Sequence, residues 1–280
     1  MKELKGSKVN LGITVHNKGP ESSRDLMVGC AQAAERHGLD DLWIQDHIAI
    51  PPDDAEGSGG RYLDPMTTLA YLAACTKEIG LGTGVLNLPY RAPLPTAKAM
   101  ATVQELSGGR LRLGIGVGWM DAEFRALGIS RADRGRLTNE GLAFIHRCFE
   151  GDEVEANGQP FLFLPRPERP PIYIGGGAPH ALERTVAYGD GWLPMASDPE
   201  KLREPIERLG EMAAKAGKPM PEVKVMTALP LSEAQRAVDR ASAMLEVGVS
   251  SLVHGARYSE LSEFDDLAAR AAECKRALVS

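Results

Sequence analysis

Short apolar extended runs alternate with stretches of helical spacing eight times along this chain, and that alternation limits the fold more than any other feature. Residues 9–14 (VNLGIT) form the first run, and 22–37 follow with Leu26, Cys30, Ala33 and Ala34 at helical spacing before Gly38. A second run, 41–45, leads through a polar loop to a helix opened by Asp64-Pro65 and reaching Thr76. Two glycine-ruled runs lie within 79–119, separated by Pro89, Pro93, Pro95 and a helix at 96–106, and helices at 121–127 and 133–149 follow them. The remaining runs are 172–174, 191–195, 223–229 and 250–254, with helices through Tyr188 and at 199–216, 232–246 and 260–278. Strand followed by helix, repeated this often, predicts a parallel sheet closed into a (β/α)8 TIM barrel, one domain over residues 1–280. Residues 153–169 depart from the pattern, with Asn157-Gly158 as a turn between two short extended pieces, and read as a hairpin inserted before the fifth strand.

An open dinucleotide-binding sheet is the competing architecture, and its three-glycine fingerprint fails twice. Gly80 and Gly82, then Gly114 and Gly116, each supply two glycines, but the third positions fall on Val85 and Trp119. With period two, Leu81, Thr83 and Val85 share one face of the third strand and Gly80, Gly82 and Gly84 the other. In the fourth strand, Leu111, Leu113, Ile115 and Val117 oppose Gly114, Gly116 and Gly118. Bare strand faces cost backbone entropy and packing, so they call for a close approach by a ligand or by another part of the chain, or for a barrel corner or bulge.

The excess of 38 Asp and Glu over 32 Lys and Arg gives a net charge of -6, which supplies no overall basic field for nucleic acid. Charge or glycine interrupts every apolar run within about ten residues, so no membrane span is expected. The opening MKELKGSKVN carries no apolar leader, which predicts a cytoplasmic protein. Cys30, Cys75, Cys148 and Cys274 are far apart in helical surroundings, as buried thiols rather than metal ligands or a disulfide framework.

A barrel of this type gathers its chemistry at the C-terminal strand ends. That rule selects Asp46-His47, residues 84–87, Gly118-Trp119, residues 175–179, Trp192 and His254. A strand delivers His47 to the rim, where the neighbouring Asp46 is a candidate to orient it or to stabilise its protonated form; a satisfied structural histidine is the other reading. Gly175, Gly176, Gly177, Ala178 and Pro179 close a strand and open a helix, leaving free backbone amides that suit a phosphate or serve a plain strand-to-helix turn. Asp190 falls on the opposite rim as a turn residue. The loop 48–62 and the segment 90–95 are placed to shape a substrate pocket.

Three stretches in order, LWIQDH, LGTGVLNLPYRAPLPTAKAMATVQELSGGRLRLGIGVGWMDAEFRALGI and PPIYIGGGAPHALERTVAYGDGWLP, resemble the bacterial luciferase-like monooxygenase family. The likeness spans about residues 39–194 and is greatest to the branch that uses the deazaflavin coenzyme F420. It implies a (β/α)8 barrel holding a flavin-type ring over the strand ends, usually in a homodimer. Carried over to this sequence, Asp46 and His47 lie beside the ring, with His47 hydrogen-bonding substrate or taking its proton. Thr83, Gly84 and Val85 carry the family's non-proline cis bond at Gly84–Val85, a bulge that braces the ring. Gly116, Gly118 and Trp119 continue the ring site, and Gly175 to Pro179 hold the cofactor phosphate. Members that oxidise a sugar phosphate place a glutamate where this chain has Trp119, so that reaction is not expected and Trp119 makes the pocket apolar.

The expected activity is hydride transfer between a small organic substrate and F420, with His47 handling the proton. An FMN-dependent monooxygenase is the alternative. A lyase or isomerase would need lysine or paired carboxylates at the strand ends, and no strand ends in lysine. A flavin-binding protein without turnover is the remaining alternative.

Overall fold

The structure is a computed structural model and describes residues 9–279; the leader reading rests largely on 1–8, which lie outside the described residues, as does Ser280. Eight parallel strands close a barrel in chain order: β1 (Asn10–Thr14), β2 (Asp41–Ile44), β3 (Gly80–Asn87), β4 (Leu111–Gly116), β7 (Ile172–Gly175), β8 (Gly191–Leu193), β9 (Glu222–Thr227) and β10 (Ser251–His254), which pairs back on β1. The helices are α1 (Arg24–Arg36), α2 (Pro65–Cys75), α3 (Pro93–Leu106), α4 (Asp121–Ala126), α5 (Arg134–Glu150), α6 (His180–Tyr188), α7 (Glu200–Lys215), α8 (Ala234–Glu246) and α9 (Leu261–Ala277). Between α5 and β7, β5 (Glu153–Ala156) and β6 (Gln159–Leu162) form the antiparallel hairpin. Its turn places both Asn157 and Gly158 at positive φ, the conformation that favours this pair of residues.

Caps written in the sequence set several boundaries. Ser23 caps α1 by accepting the Leu26 amide, and Asp64 caps α2 by accepting the Thr67 amide at 2.9 Å. The reading that put the third helix at 96–106 starts it three residues late. Pro93 sits in the first turn, where a missing N–H costs nothing because that amide has no intrahelical acceptor.

The main core lies between the outward strand faces and the helices, where Leu42, Leu81, Leu113 and Ile174 are fully buried. A smaller cluster of Trp43, Tyr173, Leu193 and Val253 fills the barrel itself, with Val85 and Met226 packed on it. The bare strand faces are explained by this inner cluster. A Cβ on Gly82 would stand 2.4 Å from the Trp43 ring, and one on Gly114 would stand 2.0 Å from the Thr83 carbonyl oxygen and 2.7 Å from Leu193. Gly116 likewise makes room for Val85. At these positions the close approach comes from the chain itself, by side chains at Gly82 and Gly116 and by both the Thr83 backbone and a side chain at Gly114.

Val85 and Leu86 are the residues of β3 whose faces the strict alternation assigns wrongly. The Gly84–Val85 peptide is cis and the pairing with β4 shifts register between Thr83 and Leu86. The shift turns Val85 into the barrel, where it packs beside Gly116 and Gly175, while Leu86 continues the outer face.

Among the described residues no helix is long and apolar enough to cross a membrane, and no group of His, Cys, Asp or Glu could hold a metal ion. The four cysteines are free thiols; Cys30, Cys148 and Cys274 are buried and Cys75 is half-buried.

Candidate active site

β2 ends at Ile44 and releases Gln45, Asp46 and His47 onto the rim. His47 is half-buried, and its Nδ1 lies 2.9 Å from Glu123 Oε2. Glu123 stands in the first turn of α4, directly after β4, and is fully buried. It also accepts the Ala49 amide at 3.1 Å, the Ile48 amide and the Tyr90 hydroxyl at 3.0 Å. Burial would raise the Glu123 carboxyl, but the hydrogen bonds from His47, Ile48 and Ala49 outweigh it and bring it down to about 2. An ionised carboxylate can only accept, so it fixes the proton of neutral His47 on Nδ1. Nε2 is then a bare base with no protein partner among the described residues.

This pairing replaces the expected one. Asp46 does not orient His47: its buried carboxylate accepts both Arg91 guanidinium nitrogens, at 2.7 and 2.8 Å, and the Asn87 amide at 2.8 Å. It fastens the end of β3 to the end of β2. Sequence reasoning passed over Glu123, although a carboxylate in the first turn after a barrel strand is near the rim by construction.

Around His47 the rim is aromatic. The Tyr62 ring lies 4.9 Å away, and Trp119, 63 % exposed, meets the imidazole edge-on at 6.0 Å. Gly84 and Val85 are half-buried at the mouth, above the apolar floor formed by Trp43, Tyr173 and Leu193. Thr83 does not share this surface, because it is fully buried and donates its hydroxyl to the Gly114 carbonyl at 2.8 Å. Gly116 and Gly118 are buried beneath the mouth, and Gly118, at positive φ, is hemmed in by Tyr90 and Phe124. His254 is buried, accepts the Leu229 amide on Nδ1 at 3.1 Å, and is pushed down to about 4 by burial.

The turn after β7 forms the other side of the mouth. Gly175 is buried with Val85 in the space of its missing side chain, while residues 176–179 are exposed. Gly176 takes φ 112, its carbonyl accepts the Trp192 indole at 2.8 Å, and Ala178–Pro179 is cis. Among the described residues the amides of Gly177, Ala178 and His180 donate to no protein acceptor. These donors meet the start of α6, and a phosphate group is the kind of acceptor they fit. Asp190 lies away from this mouth, held by Arg169 and the Ile172 amide.

Residues 10–278 match the family model described as luciferase-like monooxygenase. A 5,10-methylenetetrahydromethanopterin reductase of Methanolobus tindarius is 34% identical over 200 residues, 70% of this chain. The match spans only 57% of that relative's length. Among solved structures, an F420-dependent secondary alcohol dehydrogenase in complex with an F420-acetone adduct superposes with a TM-score of 0.78 at 16% identity, covering 93% of this chain and 97% of the other. The oxygenating constituent of 3,6-diketocamphane monooxygenase, from Pseudomonas putida and in complex with FMN, superposes with a TM-score of 0.77 at 14% identity, covering 97% and 98%. The two solved structures share the fold. The family match, which covers nearly the whole sequence, establishes that the chain belongs to the luciferase-like monooxygenase family.

Proposed function

We propose that this protein is an F420-dependent oxidoreductase that moves a hydride between a carbon of a small organic substrate and the deazaflavin. The observation that carries the reading is the His47–Glu123 pair: a buried carboxylate fixes the imidazole tautomer beside an open, apolar mouth. A planar ring fits over Val85 and the floor beneath it, and the partnerless amides at Gly177, Ala178 and His180 fit its phosphate. Trp119 and Tyr62 are placed to hold the substrate against the ring by apolar contact and to limit access of water.

When bound, the deazaflavin supplies a ring carbon that exchanges hydride with the substrate. In the direction of substrate oxidation, a C–H bond breaks as its hydride leaves, and the adjoining O–H proton passes to His47 Nε2. Glu123 stabilises the imidazolium that forms, without taking the proton itself. In the reverse direction His47 returns the proton to the oxygen. Thr83 and Gly116 enter only as wall beneath the ring, and Asp46 as the brace that sets the rim. We place the active unit as a homodimer, following the family resemblance.

The test is to express the protein in a host that makes both F420 and FMN, then identify by mass spectrometry and absorbance what co-purifies. Reduced cofactor is then mixed with candidate carbonyl substrates under nitrogen. F420 retained, with reoxidation accelerated by substrate, is the expected result. FMN retained, with product formed only in oxygen, would instead assign the protein to the monooxygenase chemistry.

A further inference from the structure

Beyond the amide turn lies a cavity of about 530 Å³ between the first turns of α5 and the length of α6, reached from the rim at Val117. Arg134, Asn139, His180, Glu183 and Arg184 line it, and Tyr188 closes its far end. Two guanidinium groups dominate it. Arg184 is half-buried and donates to Asn139 Oδ1 at 2.7 Å across the two helices. Its terminal nitrogen lies so close to Gly135 that a Cβ there would be 3.7 Å away, which sets it beside the backbone of Arg134. Arg134 is half-buried as well and donates to the Arg131 carbonyl at 2.9 Å. Among the described residues neither guanidinium pairs with a carboxylate, whereas Glu183, the one acid on the cavity wall, sits 3.4 Å from His180.

Two like charges kept half out of water, with only the exposed Glu183 carboxylate nearby and no direct ion pair, repel one another, and a bound anion reduces that cost. Guanidinium groups are suited to carboxylate or phosphate oxygens because their planar donors can engage two at once. His180 belongs both to this cavity and to the row of unpartnered amides, so a ligand held by the turn can continue into the cavity. We propose that the cavity is a second anion subsite that takes the charged tail of the cofactor beyond its first phosphate, with Arg134 and Arg184 binding tail carboxylates. The inference rests on the ring-binding reading of the mouth. It deepens that reading, because the F420 phosphate is esterified onward to a carboxylate-bearing tail whereas FMN ends at its phosphate.

The test measures the dissociation constants of F420, of the tail-less deazaflavin riboside and of FMN by fluorescence titration. It compares wild type with Arg134→Gln, Arg184→Gln, the double variant and Arg184→Lys, at low and high salt, and checks folding by circular dichroism. The double variant should bind F420 at least tenfold more weakly with a flattened salt dependence, while the riboside and FMN change less than twofold. Arg184→Lys, which keeps the charge but loses the planar pair of donors, should bind F420 with an affinity between those of wild type and Arg184→Gln. An F420 affinity unchanged within twofold in the double variant overturns the subsite, as does an equal loss for all three ligands. Wild type that binds the riboside as tightly as F420 also overturns it but leaves the ring site standing. Wild type that binds none of the three ends both readings.

Discussion

His47 is held at one nitrogen by a carboxylate that stays ionised above about pH 2, and this arrangement separates what His47 does from what it binds. His47→Ala should slow turnover about a hundredfold or more, the usual scale for a lost acid–base group, and change cofactor affinity less than twofold. Stopped-flow reoxidation and a binding titration check the two halves, and an equal loss in both would make His47 a cofactor ligand. Glu123→Gln exchanges an obligate acceptor for a group that can donate to Nδ1, which favours the tautomer with the proton on Nε2. Its rate loss should therefore approach that of His47→Ala, and the double variant should be little worse than either single one. The carboxyl sits at about 2 in the folded protein against 4.5 unperturbed, so its contribution to stability is complete above 4.5 and lost as pH falls toward 2. Urea titration of Glu123→Gln should show a deficit on the order of 3 kcal/mol at neutral pH that narrows through that window.

At the scale of the element, the glycines of β3 and β4 and those after β7 are bare for different reasons, which the letters alone do not distinguish. Gly82 is bare because the fully buried Trp43 ring occupies the place of its side chain, and that ring cannot retreat. Gly82→Ala should cost about 1–3 kcal/mol by overpacking, read as a lowered Tm, with cofactor affinity affected only through the fold. Gly177 has nothing within 4 Å of where its Cβ would stand. Gly177→Val should leave Tm within a degree or two, yet weaken F420 at least tenfold by crowding the phosphate against the amides. Unchanged F420 affinity in that variant would remove the turn from the cofactor site. The order of strands and the rim on which His47 falls were legible because alternation and position settle them. The occupant of each bare face was not, since it depends on which side chain arrives from a neighbouring strand. Val85 shows the same limit: period two puts it outside, and only the register shift against β4 turns it inward.

Over the whole molecule, histidine buried in the barrel wall couples stability to pH before any carboxylate does. His254 closes β10 and accepts the Leu229 amide, a role open only to its neutral ring. Burial takes it from 6.5 down to about 4, and burial also lowers His16, which stacks on Tyr258. Between those two values the unfolded chain holds a proton on residue 254 that the folded chain refuses. Stability must therefore rise with pH through that window, be complete above 6.5, and be lost as pH falls toward 4. The amount due to His254 is on the order of 3 kcal/mol. His254→Asn keeps an acceptor for the Leu229 amide and removes the titration, so its free energy of unfolding should vary less between pH 6.5 and 4 than that of wild type. Urea denaturation at half-unit steps of pH gives the comparison, and parallel curves would mean that His254 is not the group responsible. The loss assigned to Glu123 belongs to lower pH, so the two contributions can be told apart in one experiment on three proteins.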